Sequence, residues 1–174
     1  MAKVIKNIVL IGFMGSGKTS VAKELGKKLN LPYIDSDGVI EAEEKRSISQ
    51  IFAEDGESYF RDKEMEVIEN LSERRGWIIS TGGGVVLNPE NVFNLKKNGK
   101  IFYLKTIASV IYNRIKDDHK RPLVNVSEPQ ERIEKLLSRR THLYEEAADY
   151  VVDTSNLTVD EVCNKIMKIF EREG

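Results

Sequence analysis

Short apolar runs alternate with amphipathic stretches along this 174-residue chain. Five of the apolar runs predict β-strands: NIVLIGF, LPYID, WIIST, KIFYLK and DYVVDT. The first, third and fifth are rich in Val and Ile with little polar alternation, which is typical of parallel strands that are buried on both faces. We therefore expect an α/β fold, in which a parallel sheet is covered by helices on both sides.

The segments between these strands carry helical periodicity, over 18–29, 38–54 (which admits a break), 57–74, 89–98, 108–116, 129–147 and 158–172. Two helix starts are marked by caps. Asn88 precedes Pro89, the residue preferred at a first helical position, and Thr158 with Glu161 forms a capping box. We predict one domain over 1–174, in which the polar, turn-rich segment 116–128 is a mobile lid.

Charge and composition narrow the classes of partner. Lys and Arg number 27 against 28 Asp and Glu, a net charge of −1, and this balance gives no support to nucleic acid or an anionic membrane as a partner. No stretch approaches the ~20 apolar residues of a membrane span. Cys163 is the one cysteine, which excludes an internal disulfide and a zinc cluster. We expect a cytoplasmic protein, and nothing indicates an obligate assembly, so a monomer is expected.

The segment GFMGSGKT, residues 12–19, fits the P-loop pattern G-x-x-x-x-G-K-[ST] and stands between the first predicted strand and a helix. Its glycines allow backbone N–H groups to approach phosphate oxygens, and the helix adds the positive end of its dipole. Lys18 supplies a charge for the β- and γ-phosphates, and the Thr19 hydroxyl is a Mg²⁺ ligand of the right type. The motif predicts a nucleoside triphosphate site.

P-loops serve GTP switches, motors and kinases, and the rest of the chain separates these classes. The segment DSDG at 35–38 satisfies the D-x-x-G pattern of GTPases, but no guanine-reading N-K-x-D occurs. The third strand ends in TGGG, where a motor ATPase would place an acid. Asp35, which closes the second strand, is therefore our candidate for the metal-associated carboxylate.

Three polar groups beyond the strand ends predict a site for a small anionic acceptor. Asp35 and Asp37 provide one carboxylate for Mg²⁺ and one for an acceptor hydroxyl, with helix capping as the alternative role. Arg61 and Glu64 are spaced i, i+3 on one helix face, a spacing that a surface ion pair would also explain. The glycines 82–84 expose bare backbone N–H groups after a buried strand.

Arginines in the second half of the chain complete this hypothesis. Arg121, followed by Pro122, lies in the predicted lid, from which a closing arginine can reach the transferring phosphate. Arg140 and Tyr144 share a helix face at i, i+4. Arg61 and Arg140 together have the paired N–H donors that clamp a carboxylate.

In their order, the segments GFMGSGKT, DSD, FRDKE, GGG, RPL and RRTHLY resemble the shikimate kinase family over nearly the whole chain. The resemblance implies a P-loop kinase fold like that of nucleoside monophosphate kinases, with a five-stranded parallel sheet in the order 2-3-1-4-5. It implies phosphorylation of the shikimate 3-hydroxyl by ATP with Mg²⁺ in aromatic amino-acid biosynthesis, giving shikimate 3-phosphate and ADP. The lid reads RPLV where the family usually has RPLL, a departure that should not alter the chemistry.

The resemblance also implies individual roles. ATP would be bound by Gly15, Ser16, Gly17, Lys18, Thr19, Ser20, Arg114, Arg121 and Ser155. Shikimate would be bound by Asp37, Arg61, Gly82, Gly83, Gly84 and Arg140, around a helical region at about 36–61. The metal would be held by Thr19 and Asp35, and catalysis would involve Lys18, Asp37 and Arg121. Arg114 would flank adenine, with an adenine loop at 153–156.

Two other hypotheses stay open from the sequence. One is a kinase for another small hydroxy acid, such as gluconate. The other is a nucleotide-binding regulatory domain without turnover. A site that had lost its catalytic role should also have lost some of its polar residues, but this chain keeps all of the following: Lys18, Asp37, Arg61, Arg121 and Arg140.

Overall fold

The computed structural model describes residues 5–173. Its strands are β1 (Asn7–Ile11), β2 (Tyr33–Asp35), β3 (Ile78–Ser80), β4 (Gly99–Lys105) and β5 (Tyr150–Asp153). All neighbouring strands pair in parallel, and the order β2-β3-β1-β4-β5 confirms the expected 2-3-1-4-5 sheet. The helices are α1 (Lys18–Leu29), α2 (Ser36–Glu44), α3 (Ile48–Ser72), α4 (Pro89–Asn98), α5 (Ala108–Ile115), α6 (Pro129–Ala147) and α7 (Val159–Glu173).

The sheet separates two apolar cores, and β1 contributes to both. Ile8 and Leu10 point to the face that α1 and α7 cover. Val9 and Ile11 point to the opposite face, where α3, α4 and α6 pack. All four side chains are buried, which explains why the first strand shows no alternation of apolar and polar residues. The expected three-layer α/β architecture is confirmed.

Both caps predicted from the sequence are present. The Asn88 side chain accepts a hydrogen bond from the Glu90 N–H at 3.0 Å, directly before α4. At the start of α7, the Thr158 hydroxyl accepts from the Glu161 N–H at 3.2 Å, and the Glu161 carboxylate accepts from the Thr158 N–H at 2.7 Å. These contacts satisfy N–H groups that the first turn of a helix leaves free.

The predicted helices 38–54 and 57–74 need a correction. The break within the first lies after Glu44, and α3 begins at Ile48 with a capping box between Ser47 and Gln50. The helix then continues through the predicted gap to Ser72 but is kinked at Gly56, which has φ 84° and ψ 171°. A side chain there would meet no atom within 4 Å, so glycine is required for its backbone conformation alone.

The parallel register brings three loops to the same edge of the sheet. The P-loop follows β1, Asp35 ends β2, and the glycines 82–84 follow β3. Segment 116–128 connects α5 to α6 and contains a short 3-10 helix at Pro122–Val124. Within residues 5–173, no helix combines the length and apolar character that crossing a membrane requires.

The capping box of α7 provides a test of how local signals stabilise the fold. Thr158→Ala removes the hydroxyl acceptor and should lower the free energy of unfolding by about 1 kcal/mol. Thr158→Ser keeps the acceptor and should remain close to the unmodified protein. Urea unfolding monitored by circular dichroism measures both, and equal losses in the two variants would show that the cap contributes nothing.

Candidate active site

The P-loop is folded around the side chain of Lys18. Gly17 caps α1 in the left-handed region, with φ 93°, which a side chain would disfavour. The Lys18 ammonium donates to the carbonyls of Gly12 at 2.6 Å and Phe13 at 2.9 Å, and the residue is 8% exposed. Burial lowers the pKa of Lys18 to about 8 against the opposing pull of nearby carboxylates. Negative charge from a phosphate would therefore stabilise the protonated form.

Thr19 and Asp35 form a pair of oxygen donors beside the P-loop. The Thr19 hydroxyl donates to Asp35 Oδ2 at 3.1 Å, while Asp35 Oδ1 accepts from the Gly38 N–H at 3.2 Å. Asp35 therefore caps α2 and still presents an oxygen to Thr19. Hydroxyl and carboxylate oxygens are the ligands that Mg²⁺ prefers, with phosphate and water completing the shell. Residues 5–173 hold no cluster of three or more acidic, His or Cys side chains suited to a metal.

A cavity of about 430 Å³, which we call the P-loop cavity, opens above this loop. The residues predicted to bind ATP or the metal that line this cavity are Gly15, Gly17, Lys18, Thr19, Ser20, Asp35, Arg114 and Arg121. The Arg114 guanidinium donates to the Gly15 carbonyl at 3.1 Å. Arg121 reaches the cavity from segment 116–128, where Asp118 accepts from its Nε at 3.0 Å. Basic groups from three separate parts of the chain thus surround one space.

Two of the predicted ATP-binding residues do not line this cavity. Ser16 is buried in the P-loop, where its hydroxyl lies 2.8 Å from the position that a Cβ on Gly12 would take. Ser155 follows β5 and accepts a hydrogen bond from the Ile107 N–H at 3.1 Å, directly before α5. Its contact therefore braces the start of the helix that carries Arg114.

A second cavity of about 440 Å³, which we call the arginine cavity, adjoins the first. Its polar walls are Asp37, Glu57, Arg61, Glu64, Gly82, Gly83, Gly84 and Arg140. Asp37, Gly82 and Gly83 line both cavities. The structure therefore brings together every predicted acceptor-binding residue, and it places the Asp37 carboxylate where the two spaces meet.

Arg61 is held inside the arginine cavity by an acidic partner. Its guanidinium donates to Glu64 at 2.8 Å and contacts Glu57 at 3.4 Å. Glu64 is 1% exposed, so the pair is not the solvated surface contact that its spacing also allowed. A Cβ at Gly84 would overlap the Arg61 guanidinium. The bare glycine backbone is what lets this arginine approach the loop.

Two carboxylate oxygens converge on the same glycine without a partner. Asp37 Oδ1 and Glu64 Oε2 are buried and lack a hydrogen-bond donor among the described residues. A Cβ on Gly82 would lie 2.6 Å from the first and 3.1 Å from the second. Burial, with Asp35 and Glu64 nearby, raises the pKa of Asp37 to about 6, and burial also raises the pKa of Glu64. These oxygens are available to ligand hydroxyl groups.

Several site residues were missed from the sequence. The Ser36 hydroxyl accepts from the Gly82 N–H at 3.2 Å, and the Thr81 hydroxyl donates to the Leu10 carbonyl at 2.8 Å. Ser36 stands between two aspartates that the sequence singled out, which was a usable signal. The apolar wall of the arginine cavity gave none, because such residues are equally typical of a core: Ile48, Phe52, Phe60, Leu123 and Leu136.

Comparison with known proteins decides the family. The family model for shikimate kinase matches residues 14–171. The shikimate kinase of Thermodesulfovibrio yellowstonii is 51% identical over 168 residues, which are 97% of this chain and 96% of that protein. This chain belongs to the shikimate kinase family. Membership identifies it as a kinase that uses ATP with a divalent metal.

Solved structures of family members have the same fold. The shikimate kinase of Acinetobacter baumannii in complex with shikimate superposes with a TM-score of 0.92 at 34% identity, covering 97% of this chain and 94% of that one. The Aquifex aeolicus shikimate kinase gives a TM-score of 0.83 at 38% identity, covering 95% of this chain and 96% of that one. The resemblance stated from the sequence motifs is confirmed.

The raised pKa of Asp37 predicts a pH-dependent cost of folding. Its pKa rises from 3.8 to about 6, so the stability that Asp37 contributes is fully present below pH 3.8 and is lost as pH rises through about 6. Asp37→Asn should therefore raise the free energy of unfolding by roughly 1–2 kcal/mol more at pH 8 than at pH 4.5.

Urea titrations of the metal-free protein at the two pH values measure this difference. Asp62→Asn is the matched control, because Asp62 is exposed on α3. It should change the unfolding free energy by the same amount at both pH values. A difference for Asp37→Asn that is no larger than that of the control would contradict the assignment.

Proposed function

We propose that this chain transfers the γ-phosphoryl group of ATP to the 3-hydroxyl of shikimate, giving shikimate 3-phosphate and ADP in aromatic amino-acid biosynthesis. Family membership supports shikimate as the acceptor and ATP as the donor. The proposal rests on the position of Asp37, which lines both the P-loop cavity and the arginine cavity. A hydroxyl bound in one cavity can there face a phosphate bound in the other.

The arginine cavity matches shikimate group by group. Arg61 and Arg140 provide guanidinium donors for its carboxylate. The free oxygens of Asp37 and Glu64 accept hydrogen bonds from its hydroxyls. Gly83 and Gly84 add backbone donors, since the Gly82 N–H already donates to Ser36. The bare glycines 82–84 leave room for the ring, which lies against the apolar wall that Phe52 and Phe60 help to form.

In the reaction, Asp37 orients the 3-hydroxyl and accepts its proton, a role for which a pKa of about 6 makes it a better base than an ordinary aspartate. The hydroxyl oxygen forms a bond to the γ-phosphorus as the bond to the bridging oxygen breaks. ADP leaves with the electron pair of that bond. Lys18 and Arg121 stabilise the negative charge on the phosphate oxygens.

Mg²⁺ is the divalent metal we propose, since Thr19 and Asp35 offer two of the hard oxygen ligands that it prefers. When bound, it neutralises charge on the phosphate oxygens. The two protein ligands come from the P-loop helix and the end of β2, which hold them close together before any ligand arrives.

Segment 116–128 is proposed to act as a lid that excludes water. Its Arg121 lines the P-loop cavity, while Pro122 and Leu123 line the arginine cavity. Closure over both substrates would suppress phosphoryl transfer to water, which competes with transfer to so small an acceptor. A single domain over 1–174, acting as a cytoplasmic monomer, remains part of this proposal.

The other hypotheses from the sequence are not favoured. A regulatory domain without turnover does not fit membership in a kinase family. A gluconate kinase would share the P-loop, but three relatives that are 39–51% identical to this chain are named shikimate kinase.

The reaction itself is tested with purified protein and a coupled assay for ADP. We expect ADP release that requires shikimate and Mg²⁺, with gluconate at least a hundredfold less effective in kcat/KM because it lacks the rigid ring. Lys18→Met should lower kcat by a hundredfold or more, since it removes a charge that faces the transferring phosphate. Folded protein that releases no ADP with shikimate would refute the proposal.

Gly84 offers a cleaner probe of carboxylate binding than Arg61 itself. Arg61→Ala would leave Glu64 buried without its partner, so a loss of stability would obscure the loss of binding. Gly84 has φ −100°, which alanine tolerates, while the new Cβ would displace the Arg61 guanidinium. Gly84→Ala should raise the KM for shikimate by about 10- to 100-fold and leave the KM for ATP within twofold.

Gly38→Ala is the matched control, because its Cβ would have no neighbour closer than 3.9 Å. Steady-state kinetics with each substrate varied in turn should show no change in the KM for shikimate for this variant. A Gly84→Ala enzyme with an unchanged KM for shikimate would remove Arg61 from the carboxylate site.

A further inference from the structure

We infer that Tyr144 is a positioning residue for the acceptor, which anchors the peptide between Gly83 and Gly84 so that the backbone donors of this loop face the bound substrate. The inference rests on the proposed function, since it concerns how the same acceptor site is kept in shape. Neither the sequence motifs nor the family comparisons assign a role to this tyrosine.

Tyr144 lies on α6 and is fully buried. Its ring stacks on Tyr103 of β4, with centroids 4.9 Å apart and planes inclined by 23°. Its hydroxyl donates to the Gly83 carbonyl at 2.5 Å. Burial raises the pKa of Tyr144 to about 12, so the hydroxyl stays protonated and remains a donor across the physiological range.

A hydrogen bond to this carbonyl orients an N–H group as well. The peptide unit is planar and trans, so the Gly83 carbonyl and the Gly84 N–H point in opposite directions. Tyr144 draws the carbonyl toward the buried layer between α6 and β4, and this turns the Gly84 N–H away from that layer. Of the three glycine N–H groups, that of Gly82 is taken by Ser36 at 3.2 Å. Those of Gly83 and Gly84 have no acceptor within residues 5–173, and both glycines line the arginine cavity, where a bound ligand could accept from them.

The anchor matters because a run of three glycines has little conformational preference of its own. Without a fixed carbonyl, the loop would sample several backbone states, and binding would have to select one of them. Tyr144 also lies one turn after Arg140 on the same face of α6. It therefore ties the helix that carries a carboxylate-binding arginine to the loop that carries the backbone donors.

The test compares two tyrosines of the same stacked pair. Tyr144→Phe removes the hydroxyl and keeps the ring. Tyr103→Phe is the matched control: it deletes a hydroxyl from the equally buried partner ring of the stacked pair, which makes no hydrogen bond to the glycine loop. Kinetics with each substrate varied, calorimetric titration of shikimate, and urea unfolding are measured for both variants.

We expect Tyr144→Phe to raise the KM and the dissociation constant for shikimate about five- to thirtyfold, with the KM for ATP within twofold. Tyr103→Phe should keep the KM and the dissociation constant for shikimate. Equal effects on shikimate in the two variants, or none in Tyr144→Phe, would overturn the inference. The calorimetric titration decides the matter even if turnover is too low to measure.

The unmodified protein separates this inference from the proposed function. If it shows no shikimate-dependent ADP release and no binding of shikimate, the proposed function fails first. If it is active and Tyr144→Phe behaves like the control, the function stands and only the role of Tyr144 is refuted.

Discussion

The parallel pairing of β1, β2 and β3 is the constraint on which the site depends. Leu10 and Asp35 both lie level with Ser80, so the three strands end at the same edge. Whatever follows each strand must then meet: a phosphate-binding loop, a pair of aspartates and a run of glycines. Antiparallel neighbours would place every second loop at the opposite edge, so these three loops could not share one site.

That geometry concentrates charges which are unfavourable in the absence of ligands. Lys18 is buried and has a lowered pKa, Asp37 is partly buried and has a raised pKa, and Glu64 has an oxygen without a partner among the described residues. A phosphate, a hydroxyl and a carboxylate each supply the missing partner for one kind of group. These residues therefore lower the stability of the ligand-free protein, and ligand binding removes that cost. Such a trade-off is common where a site is organised before its substrate arrives.

Glycines decide how closely these groups approach one another. The space that a side chain would need at Gly82 is occupied by the carboxylates of Asp37 and Glu64. At Gly84 the same space is occupied by the Arg61 guanidinium. These ligand-binding side chains therefore contact the glycine loop, and the Tyr144 hydroxyl holds the same loop by its hydrogen bond to the Gly83 carbonyl. Because glycines have no side chain, the charged groups can pack closely against this loop, but its backbone is also more flexible. The hydrogen bond from the buried tyrosine compensates for that flexibility.

The sequence by itself determined the elements, the strand order through the family resemblance, and the residues that converge, because P-loop spacing, caps and apolar periodicity are local properties of the chain. It allowed a break within 38–54 without placing it after Glu44, and it wrongly ended a helix at 54 where α3 continues through Gly56. Two of the predicted ATP-binding residues, Ser16 and Ser155, do not line the P-loop cavity. Only the tertiary structure decided that Glu64, the ion-pair partner of Arg61, is buried, that Asp37 joins the two cavities and that Tyr144 holds the glycine loop. Burial and contact between distant segments depend on how the helices pack against the sheet. A local sequence pattern does not encode that packing.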